Sequence, residues 1–84
     1  MKAQKEIIQG EIIYLDIDNR YLNLRRTDPL TGGKEELEVF VPENAELKMI
    51  DSLDSLDCGD IVRIDVVRYD STSTLQASAL EEVA

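Results

Sequence analysis

Ser52-Leu53-Asp54-Ser55-Leu56-Asp57-Cys58-Gly59-Asp60 is the stretch on which the fold turns. Leu53 and Leu56 stand three apart, so they share one side of a helical turn. Gly59 suits the left-handed residue that stops such a turn. Asp51 is placed to cap its start, and Asp54 falls near its positive end. On both sides of it the chain reads as strands. Residues 7–17, 21–26 and 36–41 precede the turn; residues 61–69 and 75–80 follow it. Three strands, a short helical plug and two more strands are the order of a small closed or nearly closed barrel, with Leu53 and Leu56 capping an open end.

Period-two alternation assigns the faces. In the second strand Leu22 and Leu24 point one way, and Tyr21, Asn23 and Arg25 the other. In the third, Leu37, Val39 and Val41 point inward, and Glu36, Glu38 and Phe40 outward. In the fourth, Val62, Ile64 and Val66 share one face, opposite Arg63, Asp65, Val67 and Tyr69. The fifth offers Leu75, Ala77 and Ala79 to a crowded interior. The first strand differs, because Ile7, Ile8, Ile12, Ile13, Leu15 and Ile17 put apolar residues on both faces. It is expected to be central, bent or bulged, with Gly10 marking the bend or a close backbone approach. Asp18-Asn19, the segment 28–34 with Pro29 and Gly32-Gly33, and Asp70-Ser71-Thr72-Ser73 read as turns. The segment 43–50 is open between a short strand around residues 47–50 and part of a helical crossover.

The 84 residues make one domain, expected to fray at 1–6 and 82–84. A hydrophobic content of 43% suffices for one core, and a charged content of 32% gives a soluble surface. No apolar run approaches the roughly 18 residues of a membrane span. Asp and Glu number 18 against 9 Lys and Arg, a net charge of −9. That field repels phosphate backbones and favours cations or basic partners. The single cysteine, Cys58, excludes an intrachain disulfide, and there is no histidine. Residues 1–6 open with charge but lead into no apolar signal region. The compartment stays open between the cytoplasm and export with a leader outside this sequence.

The spacing Gly10-x-Ile12, Leu22-x-Leu24, Leu53-x-x-Leu56-x-x-Gly59-Asp60-x-Val62-x-Ile64 and Ala77-x-x-Leu80 resembles small bacterial OB-like β-barrel domains of uncharacterised function. The resemblance spans about residues 7–81. It implies an OB-like barrel, in some members exported or joined to larger envelope proteins. It supplies no catalytic residues, because the matching positions are core aliphatics, a helix stop and a turn. The aromatic and basic motifs of cold-shock-type OB domains are missing. The fold expected is all-β: a five-stranded OB-like small barrel with one short helical turn between strands three and four.

Ligands of such barrels meet the outer face of the second and third strands. Here that face carries Tyr21, Asn23, Arg25 and Phe40. Two aromatics beside Arg25, with Arg20 and Arg26 close by, are a stacking site for single-stranded nucleic acid. Against this, Tyr21 and Phe40 can be a cross-strand pair that stabilises the sheet. Glu36 and Glu38 on the same face oppose phosphates, which disfavours nucleic acid. A protein or peptide is easier to accommodate, on this face or along an open barrel edge. Asp51, Asp54, Asp57 and Asp60 recur every third residue and are weak candidates for a divalent cation. A solvated polar face explains them more simply. Asp16-Ile17-Asp18-Asn19-Arg20 starts like a calcium loop, but Arg20 and Tyr21 replace the ligand and glycine it needs.

Catalysis finds little support, and a small hydrolase using Ser-Lys chemistry stands last among the readings. Without histidine, serine or cysteine lacks its usual base. Cys58 is expected to pack beneath the turn. Gly32-Gly33 lies between strands and not before a helix, so no phosphate cradle forms. The function expected is a non-enzymatic protein or peptide interaction module, monomeric or weakly self-associating, without cofactor. The alternatives are a single-stranded nucleic-acid binder and a weak divalent-cation module.

Overall fold

A computed structural model describes residues 3–69 and 74–83. The expected turn at residues 70–73 lies outside them. The strands are β1 (Ala3–Asp16), β2 (Tyr21–Thr27), β3 (Lys34–Phe40), β4 (Glu46–Lys48), β5 (Ile61–Tyr69) and β6 (Leu75–Glu82). The five long strands are those the alternation predicts. The three-residue β4 settles the ambiguous segment as strand. One 3-10 turn, Leu53–Ser55, stands between β4 and β5.

β1 makes the ring possible. Its Ala3–Glu11 stretch pairs antiparallel with β5, and its Glu11–Asp16 stretch pairs with β2. The strand changes partners at a corner, and Gly10 sits there. A Cβ at Gly10 would lie 2.8 Å from the Arg25 carbonyl oxygen, so the approach needs glycine. A bulge between Ile12 and Tyr14 then lets Ile12 and Leu15 both turn toward the core. The apolar residues on both faces of β1 are thus explained by a bend and a bulge. β1 begins four residues earlier than the apolar run: Ala3–Glu6 pairs with Val66–Tyr69 of β5, which supplies its backbone hydrogen bonds. At the other end Glu82 is still in β6, and the Val83 N–H donates to the Ile61 carbonyl at 2.8 Å.

The ring runs β3-β2-β1-β5-β6 and closes where β3 meets β6 in parallel, Val39 beside Leu75 and Phe40 beside Gln76. β4 continues along the same edge of β6, opposite Ala79–Glu81. A second bulge falls between Asp65 and Val66 of β5, with Ser78 the extra residue in β6. Its hydroxyl donates to the Asp65 carbonyl at 3.2 Å. The bulge resets the alternation. Leu80, not Ala79, follows Ala77 into the core.

The interior is aliphatic. Ile8, Ile12, Leu22, Leu24, Val39, Val41, Val62, Ile64, Val66, Leu75, Ala77 and Leu80 fill it, and Leu53 and Leu56 plug it. No polar side chain is buried among the described residues. The turn carrying the plug is capped at Ser52 with no side-chain hydrogen bond, so Asp51 is not its cap. Gly59 has φ +100°, but it serves a separate turn in which Asp60 N–H donates to the Asp57 carbonyl. Its own N–H reaches the Ile12 carbonyl at 2.8 Å, which ties the plug to β1. Cys58 is exposed in that turn and not packed beneath it.

Candidate functional site

Because β2 sends Leu22 and Leu24 inward, Tyr21, Asn23 and Arg25 must face out, and their partners on β3 do the same. The register sets Tyr21 opposite Phe40, Asn23 opposite Glu38 and Arg25 opposite Glu36. The Tyr21 and Phe40 ring centroids lie 5.1 Å apart at 48°, a tilted pair of ordinary stacking distance. Closure against β6 places Gln76 beside Phe40. Tyr21, Phe40, Tyr69, Thr74, Leu75 and Gln76 enclose a surface depression of about 310 Å³. The Thr74 hydroxyl donates to Glu38 Oε1 at 2.9 Å, which holds that carboxylate at the rim. Asn23 and Arg25 share the face but do not line the depression. Tyr69, Leu75 and Gln76 were not legible as site residues, because only ring closure brings them to β2 and β3.

The arginines nearby are already engaged. Arg25 meets Glu36 at 3.7 Å, with both side chains about half exposed. Arg26 has the parity of Leu22 and Leu24, so it points to the opposite side of the ribbon, and its Nε donates to Glu35 at 2.7 Å. Arg20 is a structural staple. Its φ is +60°, so it, and not Asn19, takes the left-handed position of the β1–β2 turn. Its Nε donates to the Val41 carbonyl at 2.6 Å and its Nη2 to the Pro42 carbonyl at 3.3 Å. Val41 N–H returns a bond to the Arg20 carbonyl at 2.8 Å. Asp16 secures the same turn through the Asn19 side chain and backbone N–H, and these bonds hold its carboxyl below the usual range.

The aspartate series does not converge. Asp51 precedes the cap and Asp54 lies in the 3-10 turn. Asp60 turns back to accept the Asp57 N–H at 2.9 Å. A hydrogen bond to Asp60, with the nearby charges of Asp60 and Asp57, holds the Glu82 carboxyl above its usual range. Among the described residues no three carboxylate or thiol groups are placed to hold a metal ion. No helix there is long and apolar enough to cross a membrane.

A second surface was missed in the sequence. Ile7 stands 66% exposed on β1, between depressions of about 450 and 250 Å³. Lys5, Asp65, Val67 and Ser78 border the larger, and Lys48, Arg63 and Glu81 the smaller. The signal was the doublet Ile7-Ile8, of which Ile8 alone is core.

No family model matches the chain, and no curated protein matches it. Solved structures do. An Ag(I) complex of CusF is similar at a TM-score of 0.68 and 10% identity, over 95% of this chain and 99% of that one. Apo-CusF from Escherichia coli gives 0.69 and 14%, over 99% and 92%. A Cu(II) structure of a CusF variant from the same organism gives 0.68 and 13%, over the whole of both chains. At such identity the likeness establishes the fold, an all-β OB-like barrel.

Proposed function

We propose that this barrel is a non-enzymatic interaction module that takes a protein or peptide segment at the β2–β3–β6 seam. One observation carries the proposal. The chain has three tyrosines and one phenylalanine, and none is in the core. Tyr21, Phe40 and Tyr69 instead gather in one depression. Aromatic rings give large contact area at little conformational cost and are enriched where proteins meet. The arginines that a nucleic-acid strand would need are held by Glu36, Glu35 and the carbonyls of Val41 and Pro42.

Selection of random twelve-residue peptides displayed on phage tests this. Enriched peptides should bind the native chain and lose binding to Phe40→Ala, while the amide spectrum of the variant keeps its β dispersion. Enrichment of nothing, or of peptides indifferent to Phe40→Ala and Tyr21→Ala, removes the proposal. A mixed single-stranded oligonucleotide that shifts Tyr21, Asn23 and Arg25 at low salt would put nucleic acid in its place.

The silver and copper in the similar structures support cation binding as a second reading. The donors here limit it. Soft ions want thiolate, thioether or imidazole. This chain has no histidine, an exposed Cys58 and a Met49 that is 86% exposed. The oxygen ligands the sequence offers, Asp51, Asp54, Asp57 and Asp60, are not gathered into one site. A melting temperature that climbs with Ag(I), Cu(II) or Ca(II), beyond matched sodium salt, supports this reading; a flat response removes it.

A further inference from the structure

If the seam is a peptide site, which is the reading this inference rests on, its electrostatics specify the guest. We infer that the depression receives an arginine side chain from a partner protein, its guanidinium over the Tyr21–Phe40 pair and against the Glu38 carboxylate. The ring faces of Tyr21, Phe40 and Tyr69 carry negative quadrupole charge and attract a cation placed over them. Glu38 is held at the rim by Thr74 at 2.9 Å, ready to accept a charged donor. Glu36, on the same face of β3, is 60% exposed and adds negative charge beside its pair with Arg25 at 3.7 Å. The two arginines beside this face are turned elsewhere: Arg20 onto two carbonyls, Arg25 onto Glu36. The net charge of −9 draws a basic segment in. Arginine fits better than lysine. Its planar fork both stacks on a ring and pairs with a carboxylate, whereas an ammonium is a compact, strongly hydrated point charge. A nucleic-acid base could use the rings, but its phosphates would meet Glu36 and Glu38.

The test is an NMR titration of the full chain with N-acetyl-arginine-methylamide, the lysine analogue and the uncharged norleucine analogue. The arginine probe should shift Tyr21, Phe40, Tyr69 and Gln76, saturating in the roughly millimolar range expected of so small a ligand. Lysine should bind more weakly and norleucine not at all. Glu38→Gln keeps an oxygen for Thr74 and removes the charge, and should weaken the arginine probe about two- to fivefold. Phe40→Leu should abolish the shifts while leaving the spectrum dispersed. No shifts with arginine, or equal shifts with norleucine, overturns the inference. The phage selection separates the two failures. Enriched peptides that are neutral or acidic yet sensitive to Phe40→Ala leave the interaction module standing and sink the arginine. Enrichment of nothing sinks both.

Discussion

The inside of this barrel and its β2–β3–β6 seam are built from different chemistry. The interior is Ile, Leu, Val and one alanine, with no aromatic and no polar side chain buried among the described residues. The seam holds three aromatic rings, one amide and a tethered carboxylate, all within reach of water. The branched aliphatics interlock across the small ring of strands. The aromatics stand outside the core, where the Tyr21–Phe40 pair can stabilise the sheet and also present its rings to a partner.

That contrast can be broken at either end. The largest effect should come from Leu22→Ala, at 0% exposure, with a loss of about 2–5 kcal/mol by urea titration. In so small a domain that is most of the stability. Gly10→Ala should come next, at about 1–3 kcal/mol, because the added methyl meets the Arg25 carbonyl at 2.8 Å and a backbone oxygen in a sheet cannot retreat. Phe40→Ala should cost about 1–2 kcal/mol, the loss of one half-buried ring and its partner. If urea titration finds Phe40→Ala as damaging as Leu22→Ala, the seam is core and the contrast collapses.

The smallest effect sharpens the contrast from the acidic side. Glu82 is held above its ordinary range chiefly by its hydrogen bond to Asp60. A raised acid binds its proton more tightly in the folded state. Its penalty is then full at neutral pH and is relieved as pH falls through the folded value toward 4.5, the ordinary one. Glu82→Gln should raise the melting temperature slightly at pH 7, and the gain should close in acid. Asp16 runs the other way: its contribution is present above 3.8 and is lost as pH falls below. A Glu82→Gln gain that persists at pH 3 would mean packing, not charge, is responsible.

Much of the barrel was legible because burial imposes period two. Leu22, Leu24, Val39, Val62, Ile64 and Val66 all lie where alternation puts them. The plug was legible from two leucines three apart, both buried. The β1 bulge was signalled by apolar residues on both faces of that strand, but the one at Ser78 was not, since its extra residue leaves no such mark. Ser78 therefore exchanged Ala79 for Leu80 in the core. The β1–β2 turn was legible, but its left-handed residue was not. Asn19 has the better propensity, and Arg20 takes the strain because its side chain gains two carbonyls across the fold. Of the expected ligand face, Tyr21 and Phe40 line the depression; Asn23 and Arg25 sit beside it.

The sequence by itself determined where the five long strands lie, which faces of β2, β3 and β5 are apolar and where the plug lies. These are local consequences of alternation and turn chemistry, read within a few residues. Only the tertiary structure decided that β1 serves two partners, that β3 closes on β6 and that Tyr69 joins Tyr21 and Phe40. Those depend on backbone pairing between segments far apart in the chain, and one inserted residue is enough to change which side chains meet.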